Sequence, residues 1–173
     1  SKNLELMGIE VELGEHTKNI LNADLWIISP GISQEKQIFH EAKSNGIPII
    51  SEVEFASWYT SDPIISVTGS NGKTTTVHLI YQMCDFKPMN PILVGNIGTS
   101  FSSAILNDLK NKQKNRLYIL EVSSFQMEAI MHFKPFISLL LNITPDHLDR
   151  YPSMAEYTQA KLNMIKNQTD KDH

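Results

Sequence analysis

The 173-residue chain has a single cysteine, Cys84, so it can form no internal disulfide. This excludes a disulfide-stapled secreted scaffold and gives no sign of an oxidising compartment. Long apolar runs are also missing. The best of them, residues 137–141, is far shorter than the roughly 20 residues of a membrane-spanning helix. The opening residues Ser1-Lys2-Asn3-Leu4-Glu5 lack the apolar stretch of a signal peptide. A cytoplasmic location with no membrane partner is therefore the default expectation. Nor is there an excess of positive charge: 15 Lys+Arg against 19 Asp+Glu leave a formal net charge of -4. That argues against a nucleic-acid partner, since binding a phosphate backbone wants a basic face. Internal repeats and low-complexity tracts are absent too. The 41% hydrophobic and 20% charged content is that of an ordinary globular chain, long enough for one full domain or for a partial and a small one.

Short apolar runs alternate with amphipathic stretches, the pattern of βα units and a parallel sheet. Residues 9–13 read as a strand with no recognisable beginning before it, as if the chain were a fragment entered midway. Residues 25–28 form a better strand, stopped by Ser29-Pro30-Gly31. A helix is predicted over 34–44 with Asn45-Gly46 as its stop, then a strand over 48–50 and a helix over 52–59. Thr60-Ser61-Asp62-Pro63 has linker composition. The expected division is therefore residues 1–60, a linker at 61–63, and residues 64–173. The second part reads as strands over 64–67, 91–94, 117–122 and 136–141, with helices over 74–83, 100–109 and 154–165. In open α/β sheets ligands sit beyond the C-terminal strand ends, and the chemically suggestive residues follow such ends.

The first is Gly69-Ser70-Asn71-Gly72-Lys73-Thr74-Thr75, set between a predicted strand and a predicted helix. Glycines let backbone N–H groups curl toward phosphate oxygens, and the helix N-terminus adds partial positive charge. Lys73 would reach the terminal phosphates of ATP, and the Thr74 hydroxyl would ligate Mg²⁺. The common phosphate-loop pattern places a glycine where this chain has Val67, so the loop is a shorter Gly-x-x-Gly-Lys-Thr form. The alternative is a glycine turn capping a helix, with a solvated lysine.

Glu121, at the next strand end, suits either a Mg²⁺ beside the phosphates or a capping acid. In Asn142-Ile143-Thr144-Pro145-Asp146-His147-Leu148-Asp149-Arg150-Tyr151, His147 suits a metal, a phosphorylated substrate or a structural role. Arg150 suits an anion, or pairing with Asp146 or Asp149, and Pro145-Asp146 suits a turn and helix cap. By its residue type alone Lys161 is a surface lysine, and Gly95-Asn96-Ile97-Gly98 is a tight turn that presents an amide.

Taken in order, the loop, Gly95-Asn96-Ile97-Gly98, Leu120-Glu121-Val122-Ser123-Ser124-Phe125-Gln126 and residues 142–150 resemble the central domain of the Mur ligases. These are the ATP-dependent amide-forming enzymes of bacterial peptidoglycan synthesis. The string that begins at Glu121, with the Ser29-Pro30-Gly31-Ile32 turn, resembles the branch that adds D-glutamate. Sibling ligases carry different residues after the glutamate, and folylpolyglutamate synthetases share the loop but not the string.

The resemblance implies an α/β fold. A partial, parallel-sheet, P-loop ATPase-like central domain would follow the second half of a Rossmann-like domain that binds the UDP substrate. Segments of the family lie before Ser1 and after His173, so the chain alone is expected to lack ligase activity. The implied ATP contacts are Gly69, Ser70, Asn71, Gly72, Lys73, Thr74, Thr75 and Asn142. Thr74 and Glu121 would hold one Mg²⁺; His147 and a carbamylated Lys161 would hold a second. Asn96, Ser123 and His147 would touch the substrate, and Lys73, His147 and Lys161 would carry the catalysis. The implied reaction activates the carboxylate of UDP-N-acetylmuramoyl-L-alanine as an acyl phosphate, which the amine of D-glutamate then displaces. A monomer that acts on small molecules is expected. The rivals are another Mur-type or folate-type ligase, and a phosphate-loop module with no ligase chemistry.

Overall fold

The computed structural model describes residues 2–14, 16–32, 34 and 36–173. In chain order the elements are α1 (Lys2–Leu6), a 3-10 turn (Lys18–Asn22), β1 (Trp26–Ile28), α2 (Gln37–Ser44), β2 (Ile49–Ser51), α3 (Glu52–Ser57), β3 (Ile64–Thr68) and α4 (Lys73–Cys84). Then come β4 (Asn90–Gly95), α5 (Phe101–Asn111), β5 (Arg116–Glu121), α6 (Ser124–Met127), β6 (Ile137–Leu140), α7 (Met154–Leu162) and a second 3-10 turn (Asn163–Ile165). The chain divides into two compact units, residues 1–26 with 33–49, and residues 27–32 with 50–173.

In the first unit, Trp26 packs edge-on against Phe39 at 5.6 Å, and its indole N–H donates to the Ile20 carbonyl. α2 buries Phe39 and Ala42 and closes at Asn45, whose N–H donates to the Glu41 carbonyl at 3.0 Å. The helix predicted over 34–44 begins only at Gln37. Lys36 before it is extended and offers no side-chain cap, Gln34 lies in a turn, and Glu35 lies outside the described residues. A helix start without a capping acceptor leaves the first-turn N–H groups unheld. The strand predicted over 9–13 does not form. Leu13 and Ile9 are exposed, and the Glu12 carboxylate bonds the Thr17 N–H and hydroxyl. Alternation alone cannot hold a strand that has no neighbour to pair with.

The second unit is built on a four-stranded sheet of order β4-β5-β3-β6. All of its pairings are parallel, with Ser66 opposite both Leu120 and Ser138, and Leu93 opposite Ile119. β3 is buried along its whole length and β5 nearly so, as expected of central strands covered on both faces. Successive side chains point to opposite faces. Ile65, Val67, Leu117 and Ile119 pack with Val77 of α4. Ile64, Tyr118 and Leu120 pack on the other face with Phe101 and Ile105 of α5, Met127 of α6 and Met164.

α3 belongs to this unit: it feeds Val53 and Ala56 into the core shared with Ile64. α6, absent from the strand and helix reading, is started by a capping box. Ser123 accepts the Gln126 N–H, and the Gln126 side chain accepts the Ser123 N–H. Because the strands are parallel, the segments after β3, β4, β5 and β6 emerge at one edge. Among the described residues no helix is long and apolar enough to cross a membrane.

Candidate functional site

The loop after β3 turns into α4 at Gly72, the N-cap, whose φ of 83° is left-handed and suits glycine. The N–H groups of the first helical turn that follow have no intrahelical partner and face outward, the arrangement that receives an anion. Lys73 opens that turn. Its ammonium donates to the loop's own carbonyls, Gly69 at 2.8 Å and Ser70 at 3.0 Å.

Glu121, at the end of β5, is only 1% exposed. One carboxylate oxygen accepts the Thr74 hydroxyl at 2.9 Å, and the other accepts the Asn96 amide at 2.9 Å. The Glu121 carbonyl also accepts the Asn96 N–H at 2.9 Å. This close approach demands glycine before Asn96, because a Cβ on Gly95 would collide with that carbonyl, and its φ of 106° is strained for other residues. Three of the residues singled out in the sequence, from three separate segments, are thus joined directly. A hydroxyl and a carboxylate side by side form a hard oxygen donor pair that suits Mg²⁺.

Lys161 lies on α7 and is 2% exposed, so the expectation of a surface lysine fails. Its ammonium donates to the same Gly69 carbonyl at 2.9 Å and lies 4.5 Å from the centroid of the Tyr157 ring. Burial lowers its pKa from the ordinary lysine value, opposed by the nearby Asp146 charge. Lys73 and Lys161 therefore converge on one backbone oxygen from two different helices, α4 and α7. The phenol of Tyr157 reaches the Ser70 hydroxyl at 3.1 Å. Tyr157 was missed as a site residue, although it lies one helical turn before Lys161, the spacing that places two side chains on one face.

His147 adopts a left-handed φ of 52° and is tied to its neighbour, its N–H donating to Asp146 at 2.9 Å. Its ring lies 4.9 Å from Phe125 and 6.2 Å from Tyr157, on the side where Lys161 and the loop meet. Among the described residues no group of three or more His, Cys, Asp or Glu could hold a metal ion. An unmodified Lys161 cannot add to such a set, since an ammonium repels cations. Thr74 and Glu121 supply two oxygen donors as they stand, whereas Lys161 offers a metal no donor unless it becomes an anion.

Arg150 pairs with neither Asp146 nor Asp149. It stacks on Phe125 at 4.0 Å, donates to the carbonyls of Pro30 at 3.1 Å and Ile32 at 3.4 Å, and meets Glu128 at 3.5 Å. The Ser123 hydroxyl is taken up in capping α6. Asn142 faces the loop backbone: it accepts the Asn71 N–H at 2.9 Å and donates to the Asn71 carbonyl at 3.0 Å. Pro145-Asp146 leads into a turn over residues 148–150 rather than a helix.

Sheet order, loop and helix define an α/β domain of the phosphate-loop type. Residues 67–173 match the family described as the Mur ligase middle domain. The chain is 40% identical over 172 residues to a UDP-N-acetylmuramoylalanine--D-glutamate ligase of Desulfatibacillum aliphaticivorans, covering 99% of this chain and 37% of that protein. It is 45% identical over 171 residues to the protein of that name from Bacteroides thetaiotaomicron, covering 98% of this chain and 37% of that one. A UDP-N-acetylmuramate:L-alanyl-gamma-D-glutamyl-meso-diaminopimelate ligase from Neisseria meningitides shares the fold. Its TM-score is 0.58 at 18% identity, over 99% of this chain and 58% of that one. The chain therefore belongs to the Mur ligase family. It spans 37% of the length of the curated relatives named here.

Proposed function

We propose that the protein containing these residues joins D-glutamate to UDP-N-acetylmuramoyl-L-alanine at the expense of ATP. The observation that carries the phosphoryl chemistry is the convergence of Lys73 and Lys161 on the Gly69 carbonyl beside the Thr74–Glu121 pair. The choice of substrate rests on the relatives at 40% and 45% identity. Residues 1–60 would be the second half of the UDP-binding domain, 61–63 the linker, and 64–173 the start of the ATP-binding domain.

In this reading residues 69–75 cradle the phosphates, and Lys73 swings from the loop carbonyls to the terminal phosphate. The substrate carboxylate attacks the γ-phosphorus, the bond to the bridging oxygen breaks, and ADP leaves. The amine of D-glutamate then attacks the acyl phosphate carbonyl, loses a proton, and expels phosphate. Mg²⁺, when bound, supplies neutralisation of the crowded anions. Thr74 and Glu121 would hold one ion. His147 would hold another with Lys161 once that amine has taken up CO₂, forming an N–C bond and releasing a proton to give a carbamate. Burial favours that step, because it raises the neutral fraction of the amine near neutral pH above that of an exposed lysine. Asn96, Ser123 and His147 would face the muramoyl substrate.

The intact protein should release phosphate from ATP only when both UDP-N-acetylmuramoyl-L-alanine and D-glutamate are present. Turnover with L-alanine or a diamino acid instead would move it to another branch, and no amino-acid-dependent turnover at all would leave a nucleotide-binding module. Incubation with ¹³C-bicarbonate should give a carbamate ¹³C signal in the wild-type protein that Lys161→Arg lacks. A signal that persists in the variant would remove Lys161 from the metal site.

A further inference from the structure

The segment after β6 is bonded to the phosphate loop through both backbone and side-chain groups. Leu141 N–H donates to the Thr68 carbonyl at 3.0 Å, and Ser70 N–H to the Asn142 carbonyl at 3.1 Å. The Asn142 side chain closes the bidentate pair on Asn71, at 2.9 Å from its N–H and 3.0 Å from its carbonyl. Thr144 N–H donates to the Ser70 hydroxyl at 3.0 Å, and the Thr144 hydroxyl accepts the Asn71 amide at 3.3 Å. The ladder of β3 and β6 thus continues past the strands. One side-chain amide acts there as the next peptide of β6, offering an acceptor and a donor in the order a backbone would.

We propose that Asn142 is a positioning residue of the phosphate loop, acting on its shape rather than by contact with the nucleotide. Its amide oxygen and one amide N–H are engaged with the Asn71 backbone, which holds the side chain's plane against the loop. The bonds it makes fix the peptide planes on either side of Asn71. Those planes decide whether the following N–H groups point into the cradle or away from it. An isolated glycine-rich loop samples many such orientations, and ordering it costs roughly 1–2 kcal/mol per residue in backbone entropy. Asn142 bears that cost in the free protein, so that phosphate does not. The same run of chain continues to His147, so that loop shape and His147 placement share one backbone. This inference rests on the reading of residues 69–75 as a phosphate site.

The test uses the intact protein, its Asn142→Ala variant, and two probes, ATP and inorganic triphosphate, each with Mg²⁺. Losing two hydrogen bonds of ordinary strength from the cradle should weaken binding roughly ten- to thirtyfold. A positioning role predicts the same factor for both probes. It also predicts faster amide exchange at Asn71 in the free variant, with exchange along β3 unchanged. Weakened ATP binding with triphosphate unaffected would mean that Asn142 touches the nucleoside, and would overturn the proposal. Unchanged binding of both probes, or unchanged exchange at Asn71, would overturn it as well. Wild-type protein that binds neither probe would remove the phosphate-site reading itself, and this proposal with it. Because Asn142 is exposed, a folding failure of the variant is not expected; retained exchange protection along β3 would verify this.

Discussion

Replacing Lys73 with alanine in the intact protein is expected to lower ATP-dependent turnover by roughly 10²–10³-fold, the cost of deleting one preorganised charge-stabilising donor. Stability should change little. Among the described residues the ammonium bonds to the Gly69 and Ser70 carbonyls. Gly69 keeps Lys161 as a donor after the substitution, so its oxygen is not orphaned. The effect should therefore fall on phosphate release and not on the unfolding midpoint, and the two are measured side by side. A variant with wild-type turnover would take the loop out of the mechanism. A variant that has lost turnover and stability together would mean that Lys73 holds the loop rather than the phosphate.

Glu54 should dominate stability in the same way, at a site with no part in the chemistry. It is 0% exposed, and its carboxylate accepts the N–H groups of Met131 at 3.0 Å, His132 at 2.8 Å and Phe133 at 2.8 Å. The Trp58 indole donates to it at 2.7 Å. Alanine there leaves a cluster of donors without an acceptor, each costing about 1–3 kcal/mol if water stays out. Trp58 and Met131 are part-exposed, so water recovers some of that, and a net loss of roughly 2–4 kcal/mol is expected. This is a large share of the 5–15 kcal/mol typical of a folded domain. Denaturant unfolding should show a lower midpoint for Glu54→Ala and an intermediate one for Glu54→Gln, which keeps a single acceptor oxygen. A midpoint unchanged in Glu54→Ala would show that the carboxylate is replaceable by solvent.

Glu54 also shows where reading the sequence stops. Nothing in Glu52-Val53-Glu54 separates a surface acid from one that closes a turn 77 to 79 positions away. The same holds for Lys161, whose partner Gly69 lies 92 positions away. Composition and periodicity report on neighbours within a turn or a strand, and these contacts form only when the sheet brings distant segments to one edge. Other misses were legible in principle. Ser123-Ser124-Phe125-Gln126 carries the capping-box spacing that starts α6, a signal as local as the phosphate loop's. The alternation over residues 9–13 makes no strand, because a half-buried face requires something to bury it.

By itself the sequence determined the alternation of strands and helices, the phosphate loop at the head of α4, and the resemblance to the Mur ligases. All of these are local: apolar runs make strands, and glycines with a helix start make an anion cradle wherever they occur together. Only the tertiary structure decided that Glu121 meets both Thr74 and Asn96, that Lys161 is buried against Gly69, and that Asn142 bonds to the Asn71 backbone. The reason is the order β4-β5-β3-β6, in which β3 lies between two strands that follow it much later in the chain. That order brings the ends of β5 and β6 to either side of the loop.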